Sequence, residues 1–254
     1  MNKLRDYPLL VFTLTLISMC ISEWIGSFFR KKHSLEEDER KSLEVIEAAT
    51  LTLLGLIIGF TFSMAVSRYD QRKNYEEEEA NAIGTEYVRA ELLPATDAAR
   101  TKALLQKYLD QRVGFYETHD DRQLTRINVY TAQLQSELWS VVRASAAAQP
   151  TPVNALAVSG MNDVLNSQGY TQAAWWNRIP VAAWCLMATI AICSNLLVGY
   201  GGSRTKGHAV LFLVLPMVVA IAFLLIADID SPRRGLILVH PQNLESLSES
   251  FHAH

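Results

Sequence analysis

Four stretches of the chain are almost free of charge and long enough to cross a bilayer, which takes about 20 mostly apolar residues. They fall at 8–29, 48–67, 179–198 and 209–227. Pro8 and Pro180 stand near the starts of the first and third, where a proline suits the first turn of a helix. Pro216 lies inside the fourth, a position a membrane helix tolerates when its neighbours re-satisfy the freed carbonyl. Tyr7, Trp24, Tyr69, Trp175, Trp176 and Tyr200 cluster near the ends of these runs, as rings at a membrane–water boundary do. The first run is longer than the apolar core of a signal peptide and ends in Phe28-Phe29-Arg30, so it is expected to be an uncleaved anchor.

Between the second and third runs the pattern changes to amphipathic helix. No glycine or proline interrupts 60–83, and the next proline is Pro94. The second run is therefore expected to continue as one helix from Leu43 to Leu93, roughly 50 residues or about 75 Å, a stiff rod joining membrane to domain. Its outer part carries Ala80, Ile83, Tyr87, Ala90 and Leu93 at spacings of three and four, one apolar face. A helix capped by Thr96 or Asp97 follows, burying Leu104, Leu105, Tyr108, Leu109, Val113 and Tyr116. After a turn at His119-Asp120-Asp121, a third helix shows Leu124, Ile127, Thr131, Leu134, Leu138 and Val141, close to a heptad seam. A linker at 146–152 leads to a fourth helix with Val153, Leu156, Ala157, Met161, Val164 and Leu165 on its inner face. Short connections favour antiparallel neighbours.

The predicted architecture is thus an all-α membrane protein with four transmembrane helices and an extramembrane antiparallel helical bundle between the second and third spans. The membrane part comprises 1–67 and 179–227, the helical domain 68–178, and a C-terminal tail 228–254.

Composition agrees with this division. Half of the 254 residues are hydrophobic while 19% are charged, too many for a chain lying wholly in lipid. A net charge of −3 gives no electrostatic footprint for nucleic acid. Cys20, Cys185 and Cys193 all lie in apolar runs without metal spacing, so packing residues are expected and a disulfide framework is not. That absence favours a cytoplasmic helical domain. The juxtamembrane lysines and arginines divide almost evenly between the two sides and set no orientation.

No catalytic spacing is present: no nucleophile elbow, no glycine-rich phosphate loop, no zinc-protease helix and no calcium loop. His33, His119, His208 and His240 stand alone, and His252 and His254 are expected in a frayed tail. The chain is not expected to be an enzyme, nor to need a cofactor or metal. Polar residues inside the spans carry more information, because they are costly there. Glu23 can snorkel from the end of the first span, and Asn195 can hydrogen-bond across helices in the third. The acidic run Glu76–Glu79 reads as a solvated collar, or as a ring of carboxylates if several subunits bring one face together. Asp228 and Asp230 follow the fourth span in Asp228-Ile229-Asp230-Ser231-Pro232-Arg233-Arg234-Gly235. They read as a helix-ending turn with an internal Asp–Arg pair, or as a cation site or clasp.

The second span has the most informative spacing. Gly55, Gly59 and Ser63 repeat every four residues, a small-residue stripe that lets another helix approach closely. Thr52, Leu56 and Phe60 repeat every four on an adjacent face. A helix at the centre of an oligomer would use both faces, and so would packing inside one four-helix bundle.

The segments 55–70, 79–87 and 92–94, read with the turn 228–235, resemble the bestrophin-like domain family of bacterial membrane proteins over about residues 45–245. Through Gly59-Phe60 and Arg68-Tyr69 the second span is more distantly similar to true bestrophins, pentameric anion channels gated by calcium. The resemblance implies a homo-oligomer, a pentamer if it holds, with a hydrophobic neck at Thr52, Leu56 and Phe60. Thr52 departs from the apolar pattern of that neck. The acidic calcium-binding run after the last span is reduced here to Asp228 and Asp230, so calcium gating is not expected. Two functions follow: an oligomeric ion channel with the second span lining the pore, or a non-conducting membrane scaffold or sensor whose helical domain binds a partner protein.

Overall fold

The computed structural model describes residues 6–31, 36–202 and 209–252, and every regular element among them is helical. Lys3, Arg5, Lys32, His33, Arg204, Lys206, His208 and His254, which entered the sequence reading as flanking charges or isolated histidines, lie outside the described residues. The helices are α1 (Pro8–Arg30), α2 (Glu37–Arg89), α3 (Ala95–Glu117), α4 (Asp121–Ala148), α5 (Pro152–Trp176), α6 (Val181–Gly201), α7 (Ala209–Asp230) and α8 (Gln242–His252). Four helical stretches are long and apolar enough to cross a membrane: Pro8–Arg30, Glu37–Leu92, Pro152–Gly201 and Phe212–Asp230.

Helix α2 is one uninterrupted element of 53 residues, about 80 Å at the α-helical rise. It starts before the expected Leu43 and tightens into a 3-10 turn at Ala90–Leu92. The stop is local chemistry. Pro94 disfavours helical backbone at the residue before it, and Leu93 is extended, at φ −82° and ψ 161°. Pro94, not Thr96 or Asp97, occupies the cap position of α3, and it makes no side-chain cap bond. At α4 the Asp120 carboxylate accepts from the Arg122 amide, and at α5 the Thr151 hydroxyl accepts from the Asn154 amide.

The chain forms two compact units. One comprises Met1–Arg68 with Arg178–Leu238, the other Tyr69–Asn177 with Val239–His254. In the first, α1 packs against α6 and α7. The α1–α6 crossing is close because glycines face backbone across it. A Cβ at Gly26 would collide with the carbonyl oxygen of Leu196, and one at Gly199 with the carbonyl of Glu23. Polar bonds lock the same crossing: Ser22 Oγ donates to Ile192 O at 2.6 Å and Asn195 Nδ2 to Met19 O at 2.5 Å. Asn195 therefore serves the interhelical bond that the sequence allowed, and Glu23 is buried at this crossing instead of snorkelling outward.

The second unit has its own core, drawn from the outer part of α2 and from α3, α4, α5 and α8. The predicted α4 seam is buried at Ile127, Thr131, Leu134, Leu138 and Val141. On α3, Leu104, Leu105, Tyr108, Leu109 and Tyr116 are buried as expected, joined by Arg112 and Phe115, which the pattern had not marked. The inner face of α5 differs from expectation. Val153 and Leu156 are exposed, while Asn154, Ala157, Gly160, Met161 and Val164 are buried. Small residues set that face because the neighbouring side chains reach into it. A Cβ on Gly160 would collide with the Glu86 carboxylate and crowd Arg89. The segment expected as a frayed tail holds α8, whose Leu244 is fully buried and whose Phe251 stacks on Tyr87 with centroids 3.9 Å apart.

Replacing Gly26 or Gly199 by valine would force α1 and α6 apart at a backbone-to-backbone contact. Overpacking of this kind costs about 1–3 kcal/mol or more. Each variant is expected to unfold at a clearly lower temperature in detergent, whereas Gly55→Val, with nothing within 4 Å of its added Cβ, should leave the melting of the single chain unchanged.

Candidate functional site

The apolar part of α2 is covered only along a narrow line. Leu54, Thr61 and Ala65 are buried, and the Thr61 hydroxyl is tied to Ile57 O at 2.8 Å. The faces on either side are open. Leu56 is 53% and Phe60 60% exposed. Thr52, Gly55, Gly59 and Ser63 are exposed as well. Nothing lies within 4 Å of a Cβ built at Gly55 or Gly59. The small-residue stripe and the Thr52–Leu56–Phe60 face are thus adjacent and both uncovered, so packing within the protomer does not account for the stripe. Thr52 donates its hydroxyl to Ala48 O at 2.8 Å, which satisfies the polar atom on its own helix.

The two aspartates after α7 are each engaged by the protein. Asp230, fully buried, accepts from Arg178 Nε at 3.1 Å and from the Ile179 amide at 3.0 Å. Arg178 also donates through Nη1 to Asp6 Oδ1 at 2.8 Å. One guanidinium therefore joins carboxylates from the start of α1 and the end of α7, and it stands just before α6. Asp228 accepts from the amides of Leu236 and Ile237 at 2.7 and 2.9 Å. The chain folds back so tightly there that a Cβ on Gly235 would collide with the Asp228 carbonyl. The expected Asp–Arg pair within the turn gives way to a pair with Arg178, 52 residues away. Among the described residues no three His, Cys, Asp or Glu side chains converge as metal ligands.

The acidic run on α2 is not a uniform solvated collar. Glu76 and Glu79 are buried while Glu77 and Glu78 are exposed. Glu76 sits at the start of α8, accepting from the amides of Asn243 and Leu244 at 2.9 and 3.0 Å and from Asn243 Nδ2 at 2.6 Å. A carboxylate at that position meets the positive end of the helix dipole. Glu79 pairs with the fully buried Arg112 and accepts from Thr171 Oγ1 at 3.0 Å. Burial, and after it the Glu79 charge, pushes the phenols of Tyr108 and Tyr116 above their ordinary range. About two turns further on, Glu86 is fully buried, and neither carboxyl oxygen has a hydrogen-bond partner. Burial pushes its pKa up to about 8, against the lowering effect of Arg89 and with a smaller raising effect from Asp163. Sequence reasoning passed over Glu86, although it continues the three-and-four spacing of Glu76, Glu79 and Ile83.

Among the described residues the fold is all-helical with four membrane-length helices, the architecture of a multi-span membrane protein. The chain belongs to the bestrophin-like domain family, whose model matches residues 17–244. The fold is also that of crystal structures of a bacterial bestrophin homologue from Klebsiella pneumoniae. One superposes with a TM-score of 0.67 at 12% identity, covering 96% of this chain and 97% of that one. A point variant of the same homologue superposes at 0.66 with 13% identity, covering 95% and 94%. No curated protein matches at the level of sequence.

Two outcomes follow for the buried charges. Glu86 binds its proton more tightly folded than unfolded, so its contribution is complete below the unfolded carboxyl pKa and is lost as pH rises through about 8. Thermal denaturation between pH 5 and 8.5 is expected to show stability falling until about pH 8 and levelling above it, and Glu86→Gln should flatten that slope. Arg178→Ala leaves the buried Asp230 without its guanidinium. Breaking such a pair costs about 3–5 kcal/mol when both groups are buried, and since Arg178 is partly exposed a loss near the lower figure is expected in chemical denaturation.

Proposed function

We propose that the chain is one subunit of a homo-oligomeric ion channel in which the apolar part of α2 lines the pore. The observation that carries this reading is the pair of uncovered neighbouring faces on α2. A stripe of Gly55, Gly59 and Ser63 beside Thr52, Leu56 and Phe60 suits a helix that packs closely on a copy of itself while presenting larger side chains to an axis. Rings of Leu56 and Phe60, with Thr52 above them, form a hydrophobic constriction of the kind that gates by dewetting. The Thr52 hydroxyl, bonded to Ala48 O, interrupts that constriction less than its polarity suggests. Membership in the bestrophin-like family supports the same reading, with a ring of five as in the bestrophins the chain resembles.

On this reading the four spans run through 8–29, 48–67, 179–198 and 209–227 of a bacterial inner membrane, and 68–178 forms a bundle on the cytoplasmic side. The Asp6–Arg178–Asp230 clasp replaces an ion-filled site with a built-in cation. Conductance is accordingly independent of calcium, and the protein needs no catalytic group.

The test is conductance of the purified oligomer in planar bilayers. Steady single-channel currents are expected, unchanged between a calcium chelator and millimolar calcium. Phe60→Ala should raise unit conductance several-fold, and Leu56→Ala likewise. Light scattering in detergent should give a closed ring of about five subunits. A flat recording from a folded ring would move the reading to a non-conducting scaffold, and a monomer or dimer would remove the pore geometry altogether.

A further inference from the structure

The first unit contains a cleft of about 420 Å³ where the start of α1 meets the end of α7. The volume lies within the roughly 300–1,000 Å³ of small-molecule sites. Its walls are apolar, drawn from Leu9 on α1, Ile221, Leu224 and Leu225 on α7, and Leu236 and Ile237 in the turn after α7. Tyr7, Pro8, Asp228 and Arg234 complete the lining.

Three observations identify the occupant. The first is depth. The cleft sits at the ends of two membrane-length helices, beside an interfacial tyrosine, where the hydrocarbon of a bilayer gives way to headgroups. The second is construction. Leu236 is 95% exposed, a poor position for a leucine facing water, yet its backbone is held fast. The Asp228 carboxylate takes the amides of both Leu236 and Ile237, and Gly235 leaves no room for a side chain. The wall is preformed before anything enters. The third is charge. The exposed Arg234 stacks over the Tyr7 ring, 4.9 Å from its centroid, and donates to the Tyr7 hydroxyl. The one acid in the lining, Asp228, is buried against backbone amides. A guanidinium presents its donors in a fork that matches phosphate oxygens, and juxtamembrane cations favour anionic headgroups.

We propose that this cleft binds one anionic phospholipid per chain, an acyl chain lying between Leu9, Ile221, Leu225 and Ile237 and the phosphate at Arg234. The bound lipid covers Leu236 and links the start of α1 to the turn after α7. The proposal stands apart from conduction, since it requires only that α1 and α7 lie in a membrane.

The test is native mass spectrometry of the full-length protein in detergent, titrated with palmitoyl-oleoyl phosphatidylglycerol or with phosphatidylcholine of the same chains. One phosphatidylglycerol per chain is expected, bound about tenfold more tightly than phosphatidylcholine. Arg234→Gln should reduce it to the phosphatidylcholine level. Leu225→Trp, which fills the cleft, should weaken both lipids. Melting temperature and elution volume certify each variant as folded, and Ile221→Phe replaces Leu225→Trp if the latter does not fold. Equal binding of the two lipids, or phosphatidylglycerol binding unmoved by Arg234→Gln, would overturn the proposal. Displacement of the lipid by inorganic phosphate at equal concentration and constant ionic strength would also overturn it, as the mark of a free-phosphate site. Loss of the oligomer in Leu225→Trp with unchanged lipid binding would show a second copy of the chain in the cleft, again against it.

Discussion

Burial on α2 is confined to one stripe at a time, and much of the rest of the structure follows from that constraint. A helix of 53 residues cannot be covered all round by so few partners. In the first unit its covered line is Leu54, Thr61 and Ala65; in the second it is Arg72, Glu76, Glu79, Ala80, Ile83 and Glu86. Both lines keep to the spacings of three, four and seven that place residues on one helix face. The chemistry of the stripe nevertheless changes from apolar to charged. Where it is apolar, large neighbouring side chains such as Leu56 and Phe60 are left open. Where it is charged, each acid is met by a specific structural feature: a helix start for Glu76, a guanidinium and a hydroxyl for Glu79, and a cradle left by Gly160 for Glu86.

Buried charge of this kind adds little net stability, because desolvation offsets the attraction of the pair. Its physical consequence is selectivity of arrangement. Arg112 and Glu79 leave an uncompensated buried charge if the α2–α3 register slips, whereas apolar residues at the same places would tolerate the slip. The same holds for Arg178, which must find Asp6 and Asp230 together. Two carboxylates from opposite ends of the first unit's sequence are fixed by one side chain, so α1, α6 and α7 are held in one mutual arrangement.

How far the sequence discloses this differs from element to element. The four membrane-length helices were legible because hydropathy over twenty residues is a strong signal that tertiary context seldom reverses. The α4 seam was legible because Ile127, Leu134, Leu138 and Val141 are large and regularly spaced. The α5 face was misread because Ala157 and Gly160 do the packing, and small residues leave no mark on a hydrophobic count. The acidic run was read as surface because four charges in a row hide a helical period, although Arg72, Glu76, Glu79, Ile83 and Glu86 display it once the stripe is followed. Partnerships across long separations left no local trace. Gly26 with Gly199, and Asp230 with Arg178, pair residues whose own neighbourhoods give no hint of each other. The stripe Gly55–Gly59–Ser63 was visible from the start, but its meaning depends on whether anything covers it, which only coordinates can tell.

The turn after α7 ties these strands of argument together. A helix end leaves carbonyls without partners and a chain that must change direction, and here two aspartates solve the problem differently. Asp228 takes neutral amides and so shapes backbone; Asp230 takes a guanidinium and so joins helices. Neither arrangement needs a diffusible ion, because backbone amides are always present and an arginine keeps its charge throughout the physiological range. If α2 lines a pore as proposed, the packing of α1, α6 and α7 in the first unit is held by permanent donors. Any control of the pore's opening then falls to the uncovered residues of α2 itself.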